Sequence, residues 1–413
     1  MDVVIVGNGI AGNSAAESIL AVDPRAKITL VSDEIFPEYS ACALCDYISG
    51  ELPRQRVFLK SEEDYLELGI DAIFGKKVNG FDPVERKIQI GDTDHSFDKL
   101  VLAIGSEPIL PSIKGVEKQG VFCLKSLSDA EAIVRHNGKK VAVVGSGPIG
   151  IEATVALRKR GYEVHLVELL GSVLPKSLDE ECSALVADNL CKNGVDVVVG
   201  EGVKEIYGES VVEGISTDRR QIPCDTVILS IGMKPRTELV RDCGITFGEH
   251  GAIKVNSRME TNLQDVYACG DCAECMLSDS HESVLSLLWF NAKQQGKVAG
   301  FNVAGVNRQY LAPMSIIVLR IFDTYVASIS NPIYTPGQTY EKIEKRIRDG
   351  YLRFVLDNGR MIAAQMIGEL DDLGVFFSFL KKGEMIEKVR KYVHLREVPP
   401  VFPCYARISH YLS

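Results

Sequence analysis

The sequence predicts an α/β protein of two parallel-sheet units, the first interrupted by the second, followed by a smaller α+β unit. Three observations predict it. A strand, a glycine turn and a helix open the chain at Val3 to Leu20 and recur at Lys140 to Arg160, and a pattern repeated in full marks an internal repeat rather than chance. Each copy is later answered by an apolar strand that runs into a glycine and a proline, Lys99 to Pro108 and Thr226 to Pro235. Beyond residue 309 the glycine turns give way to strands, a hairpin and short helices.

In the first unit, Val3-Val4-Ile5-Val6 passes into Gly7-Asn8-Gly9-Ile10-Ala11-Gly12 and a small-residue helix, Ser14 to Leu20. Gly7 makes the tight turn, Gly9 lets a phosphate approach and Gly12 lets helix pack on strand. Free backbone N–H groups and the helix dipole then face a pyrophosphate. The strand Ile28 to Val31 ends in Ser32-Asp33-Glu34, carboxylates placed about 20 residues on to accept from a ribose hydroxyl. Ser61 to Leu68 reads as helix, Asp71 to Phe74 as a short strand, and Lys76 to Phe81 as a strand that sets Val78 against the first nucleotide. Ala103 and Gly105 end a buried strand at a crossover stiffened by Pro108 and Pro111.

The second unit repeats the plan with Gly145-Ser146-Gly147-Pro148-Ile149-Gly150, the helix Ile151 to Arg160 and a strand ending in Glu168. Glu168 is suited to both hydroxyls of an unphosphorylated ribose, and Leu169-Leu170 supply no cation for a 2′-phosphate, so NADH is expected over NADPH. Ile231-Gly232-Met233-Lys234-Pro235 echoes the first crossover. Val266 to Asp271 then precedes the helical Leu287 to Asn302, which suggests a carboxylate gripping a sugar-like hydroxyl at a helix entrance. Two Rossmann-like dinucleotide domains follow: residues 1–113 and 249–308 form the first, 114–248 the second, and 309–413 an α+β interface domain. In the last, Ser315 to Ile329 is strand-like, and Asp357-Asn358-Gly359 joins Tyr351 to Leu356 with Met361 to Ile367 in a hairpin. Helical Val375 to Lys381 and Ile386 to Val393 lead to a proline-rich tail, Pro399 to Pro403.

A net charge of -10 without a basic block argues against nucleic acid and anionic membrane. No apolar run reaches transmembrane length and the chain enters a strand at once, so a cytoplasmic protein is expected. Its eleven cysteines then read as thiols rather than a disulfide framework. Cys123, Cys182, Cys191, Cys224 and Cys243 sit among apolar or helical neighbours as packing thiols. Cys269, Cys272 and Cys275 surround Gly270-Asp271, and packing is preferred there to a metal site, which would need a fourth ligand. His281 and Glu282 read as a solvated loop.

Tyr39-Ser40-Ala41-Cys42-Ala43-Leu44-Cys45 lies just downstream of the first nucleotide signals. A helix beginning near Cys42 is expected to lower its pKa and favour the thiolate, making Cys42 the redox nucleophile. Cys45, three residues on, is either a resolving thiol or a packed one.

These ordered motifs resemble the pyridine nucleotide-disulfide oxidoreductase superfamily from Met1 to about Ile386. The resemblance implies FAD at Gly7, Gly9, Gly12, Asp33 or Glu34, Gly105 and Asp271. It implies NADH at Gly145, Gly147, Ile149, Glu152, Glu168 and Gly232, with Ile10, Ala11, Val78, Ala103 and Pro148 lining the two sites. It also implies homodimerisation through the C-terminal domain. Tyr39 to Ile48 is similar to the single-cysteine branch of CoA-disulfide reductases and NADH oxidases, and Gly368 to Gly374 to NADH:rubredoxin and nitrite reductases. Cys45 departs from the usual proline, Pro148 from a flavin-shielding tyrosine, and Glu17 to Val22 lacks the cation that meets CoA phosphates. In relatives, aromatic residues of the interface domain reach the partner's cysteine pocket; Cys404, Tyr405, His410 and Tyr411 offer candidates without a motif to choose among them. The expected activity is NADH-dependent reduction of a small disulfide, polysulfide or persulfide through flavin and Cys42. The alternatives are oxygen or peroxide reduction, electron transfer to a rubredoxin-like redox carrier, and a redox-sensing flavoprotein that turns over slowly.

Overall fold

The structure, a computed structural model, describes residues 1–276, 283–311, 314–331, 334, 338–347 and 350–395. His281, Glu282, the proline-rich tail and Cys404, Tyr405, His410 and Tyr411 lie outside the described residues.

The repeat in the sequence is a repeat in space. One sheet has five parallel strands in the order Val266–Ala268, Lys99–Leu102, Asp2–Val6, Lys27–Val31, Ile70–Ile73. The other runs Val195–Val199, Glu163–Glu168, Lys140–Val144, Thr226–Leu229, Val121–Cys123, again all parallel. The central strand of each is covered on both faces and therefore reads as an unbroken apolar run; Val3, Ile5, Val141 and Val143 are at most 1% exposed. Val266–Ala268 joins the first sheet only after the chain has completed the second, so the second unit interrupts the first. The two crossover motifs meet: Ser106–Pro108 and Met233–Pro235 pair antiparallel, and Lys234 Nζ lies 2.8 Å from a Glu107 carboxylate oxygen.

Helix Ile10–Val22 packs on helix Trp289–Val303 almost backbone to backbone. A Cβ at Gly296 would lie 2.2 Å from the Ala11 carbonyl oxygen, and one at Gly300 2.3 Å from that of Ala15. The expected helix entrance at Asp271 is not found. Gly270–Cys272 is a single 3-10 turn, and strands Ala273–Met276 and Ser283–Leu285 intervene before the long helix starts at Trp289. The helix reaches back through Gln295, whose Oε1 accepts the Gly270 N–H at 2.8 Å.

The C-terminal part is an antiparallel sheet in the order Ser315–Ile321, Thr324–Ser330, Arg360–Gly368, Gly350–Asp357, Glu341–Ile347, covered by helix Leu373–Lys382 and followed by helix Ile386–Leu395. Ser315 to Ile329 is therefore a hairpin rather than one strand, reversing where Phe322 adopts φ 53 without a glycine or asparagine to signal it. The expected hairpin is present, with Asn358 and Gly359 both at positive φ. Arg353, fully buried, ties this sheet to the second unit, its guanidinium lying 2.6 Å from Asp179 and 2.7 Å from Glu181.

Among the cysteines expected to pack, Cys182 and Cys224 are buried and Cys123 and Cys243 half-buried. Cys191 is exposed, because helix Glu180–Lys192 turns its Cys182, Val186 and Leu190 face inward and Cys191 falls on the other side. Cys269, Cys272 and Cys275 are buried, and no metal-holding group of His, Cys, Asp or Glu occurs among the described residues. No helix among the described residues is long and apolar enough to cross a membrane.

Candidate functional site

The two glycine turns are built alike. At Gly7, with φ 116, a Cβ would lie 2.1 Å from the Ala103 carbonyl oxygen; at Gly145, with φ 100, it would lie 2.3 Å from that of Ser230. At Gly12 and Gly150 a Cβ would come within 2.0 Å of the Gly7 and Gly145 carbonyl oxygens. These four glycines answer to backbone packing. Gly9 and Gly147 differ: they cap helices Ile10–Val22 and Pro148–Lys159, and a Cβ on either meets nothing within 4 Å. Neither helix has a side-chain cap, so its first-turn N–H donors are left without a capping side chain. An uncapped helix start with room beside the middle glycine fits a dinucleotide pyrophosphate, and both FAD and NAD(P)H fit such cradles.

The acids beyond the cradles have different surroundings. Asp33 carries a half-exposed carboxylate 3.2 Å from Arg236 Nη1. Glu34 turns inward and accepts from Tyr39 Oη at 2.7 Å, and burial pushes its carboxyl above the ordinary value. Glu168 is buried at the end of its strand. Its Oε2 accepts from the Ser146 N–H at 2.8 Å and hydroxyl at 2.7 Å, and its Oε1 from the Leu170 N–H at 2.8 Å. Leu169 and Leu170 are exposed beside it. Val78 and Ala103 are buried in the first core, and Gly232, at φ 127, is bonded through its carbonyl to the Ile109 N–H.

Asp271 is where the first unit meets the sulfur site. Its Oδ2 accepts from Ser106 Oγ at 2.6 Å and lies 3.1 Å from Lys125 Nζ. Lys125 also acts on Cys42, lowering the thiol's pKa. Sequence reading missed Lys125 and Ser106. Ser106 lies inside a motif that was read for its glycine and prolines, whereas Lys125 precedes an ordinary capping box, Ser126 with Asp129, and carries no signal of its own.

Cys42 occupies a 3-10 turn, Ala41–Ala43, that runs into helix Leu44–Ser49. The expected lowering of its pKa is reversed. The residue is exposed, yet its sulfur is enclosed enough that desolvation pushes the thiol up to about 11; Glu152 adds to the shift and Lys125 opposes it. A single 3-10 turn has little dipole to set against that. Cys45, half-buried, is pushed well above its ordinary range by burial, Glu152 and Asp46. Both are free thiols. Glu152 reaches them because helix Pro148–Lys159 packs on helix Leu44–Ser49. Charge coupling and helix packing thus join Cys42 and Cys45 with Glu152, Lys125 acts on Cys42 while paired with Asp271, and Asp33, Glu34 and Glu168 stand beyond their glycine turns.

The model of the pyridine nucleotide-disulphide oxidoreductase family matches residues 1–296. An NADH oxidase of Methanocaldococcus jannaschii is 35% identical over 334 residues, 78% of this chain and 74% of that protein. A CoA-dependent NAD(P)H sulfur oxidoreductase of Pyrococcus abyssi is 28% identical over 397 residues, 89% of this chain and 87% of the other. The solved structure of an NAD-dependent persulfide reductase from A. fulgidus superposes with a TM-score of 0.87 at 28% identity, covering 94% of this chain and 78% of that one. With two cradles shaped for FAD and NAD(P)H and a match over most of its length, this chain belongs to the pyridine nucleotide-disulphide oxidoreductase family.

Proposed function

We propose that this protein uses NADH to reduce a small disulfide, polysulfide or persulfide through Cys42, as a cytoplasmic homodimer joined by residues 309–413. Residues 1–113 and 249–308 hold FAD by Gly7, Gly9, Ile10, Ala11, Gly12, Asp33, Val78, Ala103, Gly105 and Asp271. Residues 114–248 hold NADH by Gly145, Gly147, Pro148, Ile149, Glu168 and Gly232. When bound, FAD supplies a two-electron relay between nicotinamide and sulfur. The observation that carries the reading is Lys125, which is paired with Asp271 at 3.1 Å and whose charge acts on Cys42. Its charge favours the thiolate that attacks a disulfide and the thiolate that is released in return. The sulfur and persulfide reductases among the relatives support the same acceptor class.

Anaerobic titration with NADH tests this. Four electrons taken up per subunit are expected, against two if no sulfur centre takes part. The Methanocaldococcus NADH oxidase supports a second reading, oxygen or peroxide reduction at the same Cys42; NADH-driven oxygen or peroxide consumption faster than disulfide reduction would favour it.

Selection of NADH over NADPH rests on Glu168. Its buried carboxylate repels a 2′-phosphate, and the adjacent Leu169 and Leu170 bring no cation. Glu168→Ala is expected to lower kcat/KM for NADH by about tenfold or more, the loss of one hydrogen-bonded acceptor, while sparing NADPH. The ratio of the two coenzymes' kcat/KM values is the measurement, and an unchanged ratio would refute the assignment.

A further inference from the structure

Glu152 is a carboxylate without a partner in a place that has thiols. Among the described residues no cation and no hydrogen-bond donor pairs with it. Burial, with Asp46 adding, pushes it up to about 7. Two elements packed against its helix bring the neighbouring ionisable groups, of which Asp46 raises its pKa. Helix Leu44–Ser49 contributes Asp46 and Cys45, with Cys42 just ahead of it. Strand Ser315–Ile321 contributes Arg320, which together with Lys159 and Glu51 acts on Asp46. The charged groups of the strands beneath are engaged elsewhere: Glu163 with Lys140, His165 with Asp196 and Glu168 with Ser146.

The backbone between the two cysteines is helical, with Ala43 at φ -90, ψ -2 and Leu44 at φ -64, ψ -36. Residues three apart on such a turn have Cα atoms about 5 Å apart, inside the range that a disulfide spans. Cys42 is exposed, whereas Cys45 is half-buried on helix Leu44–Ser49, which packs against the helix that carries Glu152, and the Glu152 charge raises its pKa. A thiol so placed cannot attack until something takes its proton, since the thiolate is the nucleophile.

Resting on the reading of Cys42 as the disulfide-reducing sulfur, we propose that Glu152 accepts the Cys45 proton as Cys45 resolves a mixed disulfide on Cys42. In that step the Cys45 sulfur bonds to Cys42 Sγ, and the bond from Cys42 Sγ to the substrate sulfur breaks. The electron pair leaves with the substrate thiolate, and the proton held on Glu152 passes to it. The substrate half is reduced to a thiol and the two cysteines are oxidised to a disulfide, which the electron pair from NADH reopens. The acceptor is therefore released inside one subunit, with no second thiol molecule required.

The test uses flavin-loaded protein whose thiols have been reduced with dithiothreitol, freed of reductant anaerobically and mixed without nicotinamide with dithiobis(nitrobenzoate). Acid-quenched samples are digested, and the peptide holding Cys42 and Cys45 is weighed as nitrobenzoate adduct or internal disulfide. The adduct is expected to convert to the disulfide at a rate that rises with pH through about 7 and then levels, because the carboxylate must be unprotonated to act. Glu152→Gln is expected to slow the conversion at neutral pH by about tenfold or more and to leave a rate that keeps rising into the thiol range. Glu152→Asp should regain the inflection near neutrality, and Cys45→Ser should hold the adduct indefinitely. A wild-type rate without the inflection, or a Glu152→Gln rate equal to wild type, overturns the role of Glu152. An adduct that forms on Cys42 and persists overturns resolution by Cys45 while sparing the reading of Cys42. Failure of Cys42 to form any adduct overturns both.

Discussion

Cys42→Ser is expected to lose NADH-dependent reduction of a small disulfide by more than about a thousandfold, a loss typical of removing a nucleophile, while its flavin stays bound and reducible by NADH. The two halves of this result have separate physical origins. Serine is nearly isosteric, and position 42 is exposed on a short turn that contributes no buried side chain, so the fold and the cradles have no reason to change. The hydroxyl, however, exchanges neither electrons nor disulfide bonds. Steady-state disulfide reduction and the anaerobic flavin spectrum are the two measurements. A variant that still reduces disulfides at the wild-type rate would move the chemistry to another group, and one that keeps reduction of a carrier protein would favour electron transfer without sulfur.

The second large effect concerns the first cradle, where two glycines a few residues apart should fail in different ways. Gly12→Ala places a methyl 2.0 Å from the Gly7 carbonyl oxygen, 3.1 Å from its carbon and 3.3 Å from Ile5 Cγ2. Backbone on that side is held by the central strand of the sheet and does not give way, so a loss of about 3 kcal/mol or more is expected, seen as a lowered Tm and protein that purifies without flavin. Gly9→Ala meets nothing within 4 Å. It should fold with a near-native Tm and lose flavin affinity alone, because its methyl stands where the phosphate approaches. Equal melting temperatures for Gly12→Ala and wild type would show that the turn is looser than the geometry allows.

The cradles and the sheets were legible because their causes are local. Carbonyl oxygens that would lie about two ångströms from any Cβ exclude every side chain, so the demand for glycine at Gly7, Gly12, Gly145 and Gly150 is written at fixed spacing beside apolar runs that only a doubly covered strand tolerates. The hairpin at Asn358-Gly359 was legible for the same reason, as two successive positive φ values select those residues. Where a turn was made without such residues, at Phe322, two strands read as one.

The chemistry of the sulfur was decided only by tertiary structure. That Cys42 and Cys45 were redox candidates followed from their position after a nucleotide motif; the direction of the Cys42 pKa did not. It depends on how much protein encloses the sulfur, on Glu152 arriving from a helix of the other unit and on Lys125 arriving from a segment without a motif. Desolvation and Coulombic coupling act through space with no regard for chain order. The sequence by itself determined where backbone must pass close to backbone, and therefore the two nucleotide cradles; the folded chain alone decided which charges stand beside the thiols.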